Sequence, residues 1–183
     1  KFIHESNVPV SKLDLSKVGQ GQGENWYGNG AYLQEAGGFK LESYGKVKNE
    51  FYLPKDAKVF DGNIIDYAKS NGLSVGRGDT PKDVFDANWF AGDKGMYNKV
   101  VETLKKDGFD AFNNGGELVV YKPEILKTKQ QLVDTFYQSK LGNTIPKELQ
   151  PLAEHAKQFK SVDEFLKSEK FKPDEFGNFC IDL

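Results

Sequence analysis

Three short stretches of this chain hold the residue types that could do chemistry. Lys1-Phe2-Ile3-His4-Glu5-Ser6 is an apolar run ending in His-x-Ser. Trp26-Tyr27-Gly28-Asn29-Gly30-Ala31-Tyr32-Leu33-Gln34 reads Y-G-x-G-x-Y, a glycine corner leading into a strand-like run. Gly115-Gly116-Glu117-Leu118-Val119-Val120-Tyr121 sets one acid at the head of a row of β-formers. Eight of the 19 glycines fall between Gly19 and Gly45. Glycine accepts positive φ and lets a ligand approach the backbone, so such clustering marks either tight turns or a binding cleft. The glycines at 19, 21 and 23 are not a phosphate loop, because G-x-x-x-x-G-K-[ST] is absent. Nor does a strand–turn–helix unit surround them to make a dinucleotide fingerprint. Taken singly, each stretch also has an ordinary explanation: a surface loop, a core or surface histidine, a core tyrosine, a solvent-facing glutamate.

Taken in order, the three stretches resemble the ADP-ribosyltransferases of the His-Tyr-Glu class, which includes poly-ADP-ribose polymerases and diphtheria-type toxins. That family carries H-G-[ST] on a first strand, G-x-G-x-Y-[FL] on a second and [NG]-E-x-[IV]-V-[YF] on a later one. In wording the match is closest to ADP-ribosyltransferase domains inside polyvalent proteins of phages and mobile elements. Those also place a run like Leu13-Asp14-Leu15-Ser16-Lys17-Val18-Gly19 between the His and Tyr motifs. The resemblance covers roughly residues 1–135.

The resemblance implies a reaction and a role for each residue. NAD would be the substrate, its nicotinamide–ribose bond cleaved and ADP-ribose passed to a macromolecular acceptor. Glu117 would stabilise the oxocarbenium-like transition state and hold a ribose hydroxyl. His4 would hydrogen-bond a ribose hydroxyl, Ser6 would brace the site, and Tyr32 would stack on nicotinamide, with Tyr44 the candidate for the second face. Glu5 departs from the family's glycine, whose backbone N–H and C=O grip the nicotinamide amide; any residue offers those groups, but Glu5 adds bulk and charge. Gly115 stands where arginine-modifying relatives carry a second glutamate, which disfavours arginine as acceptor. Two other readings stay open: an NAD glycohydrolase with water as acceptor, and an inactive NAD-binding or interaction module of a larger mobile-element protein. The resemblance also implies an α+β fold, a split sandwich of two small, mostly antiparallel sheets with flanking helices.

The composition bounds these readings. A length of 183 residues suits one domain with an appendage, and 38% hydrophobic with 13% aromatic residues can build a core. A net charge of −2 without blocks of like charge argues against strong general nucleic-acid binding. Cys180 is the sole cysteine, so neither an internal disulfide nor a cysteine metal site is expected, and no metal is required. No apolar run approaches the ~20 residues of a membrane span, so the expected location is cytoplasmic, including delivery into a host cell.

The elements that must position the three stretches follow from pattern. Strands are predicted at residues 1–4, 45–53, 57–60, 109–112 and 117–121, the last two joined by Asn113-Asn114-Gly115-Gly116. Helices are predicted at Ile64–Ser70, from Thr80-Pro81 onward, at 95–107, and at Gln130–Lys140 with Leu132, Phe136 and Leu141 inward. The rest of 75–95 reads as loop. After Gly142 the composition shifts, so a catalytic domain over 1–142 and a helical extension over 143–183, packed on the core or linking to another domain, are expected. The extension has one face of Leu149, Leu152, Ala153, Ala156 and Phe159, and a capping box at Ser161–Glu164.

Overall fold

The computed structural model describes residues 1–17, 25–36, 45–92, 95–142 and 144–168. Among these residues the strands are β1 (Phe2–Ser6), β2 (Ala31–Glu35), β3 (Val47–Tyr52), β4 (Val59–Phe60), β5 (Trp89–Gly92), β6 (Gly95–Asn98), β7 (Ala111–Asn113), β8 (Glu117–Val120) and β9 (Lys127–Thr128). The helices are α1 (Ile64–Ser70), α2 (Pro81–Ala87), α3 (Lys99–Lys106), α4 (Lys129–Leu141), α5 (Gln150–Lys157) and α6 (Val162–Ser168). The fold class is α+β. None of the described helices is long and apolar enough to cross a membrane.

Seven strands form one mixed sheet in the order β4-β7-β8-β2-β1-β3-β9, with only β4–β7 parallel; β5 and β6 make a separate hairpin. The two small sheets expected from the sequence are therefore joined into one. The join is narrow. β1 and β3 pair over five residues, but β1 and β2 pair only at Phe2↔Glu35 and Ile3↔Gln34. Beyond Ile3 the ladder between β1 and β2 stops, although both strands continue.

Alternation along the strands buries both faces. One carries Phe2, Ala31, Leu33, Phe51, Leu118 and Val120, covered by Val10, Leu13, Leu15, Leu53 and Leu126. The other carries Phe112, Val119 and Tyr121, covered by Ile64 and Ala68 of α1, Val84 and Phe85 of α2, and Val100, Val101 and Leu104 of α3. A third cluster joins Tyr52 of β3 to Leu132 and Phe136 of α4, Ala156 of α5, and Phe165 and Leu166 of α6.

Three local expectations change. The helix expected over 95–107 starts only at Lys99, because the Asn98 side chain accepts from the Val100 and Val101 N–H groups and fixes the N-terminus there. Residues 95–98 instead pair with β5, so part of the expected loop is a hairpin, and α2 starts on a complete Thr80/Asp83 capping box. Leu141 is 72% exposed rather than inward. Nine residues from Leu132 at about 100° each put it on the opposite side of α4. The buried stripe is Leu132, Thr135, Phe136 and Ser139, at i, i+3, i+4 and i+7.

Candidate functional site

The three sequence stretches meet on neighbouring strands. His4 lies on β1, Tyr32 on β2, and Glu117 opens β8. Gln34 pairs with Glu117 and Tyr32 with Val119, so Tyr32 and Glu117 share one face of the sheet, one diagonal step apart. His4 meets the Tyr32 main chain from the strand on the far side of β2. Its Nδ1 lies 3.1 Å from the Tyr32 carbonyl oxygen, just past the point where the β1–β2 ladder ends. A carbonyl only accepts, so Nδ1 carries the proton, and in the neutral ring Nε2 offers a lone pair to an incoming hydroxyl. His4, Tyr32 and Glu117 are all half-buried.

Local chemistry holds Tyr32 in place. Its hydroxyl accepts from the Tyr27 N–H and donates to the Gly28 carbonyl, each at 2.9 Å, which closes the glycine corner onto the ring. Tyr27 is fixed in turn: its hydroxyl accepts from Asn114 Nδ2 at 2.6 Å and its carbonyl from the Tyr121 hydroxyl at 3.2 Å. The glycines of this corner answer to packing. Gly28 has φ +87°, and a Cβ there would lie 2.4 Å from Val101 Cγ2; at Gly30 it would lie 2.6 Å from Val119 Cγ1.

Electrostatics tie Glu117 to these tyrosines. Burial pushes its carboxyl above the ordinary carboxylate range. Burial also raises the Tyr32 and Tyr27 hydroxyls, and the Glu117 charge adds to both. The carboxylate sits in a partly desolvated setting, where its pull on a nearby cation exceeds that in bulk water.

The remaining sequence candidates are placed as follows. Ser6 is engaged within the protein, accepting from Asn49 Nδ2 at 2.8 Å and donating to the Val8 carbonyl. The Glu5 side chain is 15% exposed and lies 3.9 Å from Lys48 Nζ on β3. Tyr44 lies outside the described residues. Among the described residues, no group of three or more metal-ligating side chains comes together.

Sequence reasoning missed Asn49, Gly45 and the Tyr27–Asn114 pair. Asn49 is 7% exposed on β3, on the same face as Phe51. A polar residue inside an otherwise apolar alternation of Val47, Phe51 and Leu53 was the available signal. Gly45 has φ +153°, and a Cβ there would lie 2.3 Å from the Ser6 carbonyl carbon, so its backbone lies flat against β1. A cavity of about 510 Å³ lies elsewhere, lined by Tyr52, Leu53, Ile125, Leu132, Leu152 and His155 among others, and none of the motif residues reaches it.

Comparisons with protein-family models, with curated proteins and with solved structures find no match. Any activity must be argued from the residues themselves. What they offer is an open ladder end flanked by a fixed aromatic ring, an imidazole acceptor and a partly desolvated carboxylate. Such a set suits a ligand with a flat ring, hydroxyls and a developing positive charge.

Proposed function

We propose that the chain is an NAD-dependent ADP-ribosyltransferase built on the corresponding split-sheet fold. The observation that carries this reading is the placement of His4, Tyr32 and Glu117 on the neighbouring strands β1, β2 and β8, with the His4 ring bonded to the Tyr32 main chain just past the end of the β1–β2 ladder. Nicotinamide would stack on Tyr32, with the Glu5 backbone gripping its amide, and His4 Nε2 would accept a ribose hydroxyl. Heterolysis of the C1′–N bond leaves its electron pair on nicotinamide and positive charge on the ribose. Glu117 stabilises that charge and holds the neighbouring hydroxyl. The acceptor's lone pair then forms the new bond to C1′, and the acceptor's proton passes to solvent. Glu117 acts mainly in the transition state, whereas Tyr32 and His4 also hold the ground state.

A second reading has its own support. The Gly28–Gly30 corner and the Tyr32 hydroxyl are occupied in packing and in closing the turn, so folding alone gives the chain reason to keep them. An NAD-binding module without turnover would keep them as well.

Labelled NAD, incubated with the protein alone and with cell lysate, separates the readings. Transfer to a macromolecule, reduced roughly 100-fold or more by Glu117→Gln, supports the transferase. Release of nicotinamide without transfer points to a glycohydrolase. NAD bound but not consumed, by wild type and variant alike, supports the inactive module. Equal turnover by wild type and a well-folded Glu117→Gln protein would refute the assigned mechanism.

A further inference from the structure

We infer that Asn49 is the positioning residue that sets the nicotinamide-gripping backbone around Glu5, an assignment that rests on the NAD reading above. The side chain is buried and uses both ends of its amide. Its Nδ2 donates to the His4 carbonyl at 3.1 Å and to Ser6 Oγ at 2.8 Å, with a longer contact of 3.4 Å to the Val47 carbonyl. Its Oδ1 accepts from the Val10 N–H at 2.8 Å. The two shorter Nδ2 bonds fall on the residues directly before and after Glu5, so they bracket the Glu5 backbone from both sides. The Oδ1 bond ties down the chain that leaves β1.

Simple strand pairing does not require this arrangement. His4 is already registered against Asn49, and Glu5 against Lys48, in the five-residue β1–β3 ladder. On its other flank, toward β2, β1 has lost its ladder beyond Ile3, so this is the stretch where main-chain pairing alone holds β1 from one side only. Asn49 supplies side-chain bonds there. Gly45 completes the seat, because its backbone lies against Ser6 too closely for any Cβ. Ser6 relays the hold by donating onward to the Val8 carbonyl. A buried amide meeting four polar partners is a fixed unit, and such units specify one local geometry.

The two halves of NAD separate this role from a merely structural one. Nicotinamide alone probes the Glu5 backbone, and ADP-ribose alone probes the rest of the site. Asn49→Leu keeps the volume and removes every bond. It should weaken nicotinamide binding about tenfold, the scale of one or two lost hydrogen bonds. ADP-ribose affinity and kcat at saturating NAD should stay within about threefold, so the loss appears in KM. Ser6→Ala removes the bond from Asn49 Nδ2 and the onward bond to the Val8 carbonyl, should weaken nicotinamide about threefold, and carries the test if Asn49→Leu fails to fold. In the Asn49→Leu background the added effect of Ser6→Ala should shrink, because the Asn49–Ser6 bond the two share is already lost. Equal weakening of nicotinamide and ADP-ribose, or unchanged nicotinamide affinity in a folded variant, overturns the assignment. If wild type binds NAD, nicotinamide and ADP-ribose not at all, the NAD reading itself falls and this assignment with it.

Discussion

Replacing Gly30 by alanine tests whether the glycine corner serves packing or a ligand. The new Cβ would lie 2.6 Å from Val119 Cγ1, 3.1 Å from Tyr121 Cδ1 and 3.2 Å from the Val120 carbonyl oxygen. Apolar carbons settle at about 3.5–4.0 Å, so the methyl overlaps Val119 by about 1 Å. Val119 cannot yield outward, since it is fully buried against the helical layer. Overpacking of this kind costs about 1–3 kcal/mol. In a chain of this length that lowers the melting midpoint by roughly 3–10 °C. Val119→Ala removes the clashing methyl, so the double variant should recover at least about 1 kcal/mol relative to the sum of the single costs. Thermal and urea unfolding of the four proteins, with and without NAD, provide the measurement. A Gly30→Ala protein that melts within about 1 °C of wild type, or single costs that simply add, would refute the packing argument. Lost NAD turnover at unchanged stability would show instead that Gly30 keeps space clear for a ligand.

Other expectations concern Glu117, Tyr32 and α4. Burial raises the folded-state pKa of Glu117 above its unfolded value, so its protonated form favours folding, fully below the unfolded pKa and progressively less as pH rises through the folded one. Glu117→Gln should therefore melt higher than wild type at neutral pH, with the gap closing in acid, while wild-type turnover falls with pH through that same raised pKa. Calorimetry and a pH–rate profile check both limbs. Tyr32→Phe leaves the Tyr27 N–H and Gly28 carbonyl without their shared partner and should cost roughly 1–3 kcal/mol. It keeps the ring, so nicotinamide affinity should fall less than in Tyr32→Ala, as titration of the two variants will tell. Leu141→Ala should change stability by less than about 0.5 kcal/mol, and Phe136→Ala should cost about 3–5 kcal/mol, both read by urea unfolding.

Much of this architecture was legible because local chemistry and tertiary structure agree. The Asn71-Gly72 stop of α1, the Thr80-Pro81 start of α2 and the Asn113–Gly116 turn are each set by residues within a few positions of one another. What the sequence hid depends on distant partners. Met96 and Tyr97 fit a helical spacing, yet pairing with β5 and capping by Asn98 override it. Leu141 is apolar in type, but its place on the helical wheel opposite Leu132 turns it to solvent. At the site, His4, Tyr32 and Glu117 could be chosen by type and order, but the hydrogen bond that seats His4 involves the Tyr32 main chain, which no pattern of side chains encodes. Asn49 is inconspicuous in the sequence, because the four partners that fix it come together only in the folded chain.

One more consequence lies in β3. The strand that presents Asn49 to β1 also presents Tyr52 to α4, α5 and α6. Removing the chain after Gly142 would strip cover from Tyr52, Leu132 and Phe136, three residues rooted in the segment that remains. The composition changes at that point, but the hydrophobic contacts run straight across it. As a cassette to be fused, trimmed or shuffled between proteins, the smallest portable piece extends through α6, since domain edges fall where few contacts cross. A shorter cassette would keep every motif residue while loosening the far end of the strand behind His4.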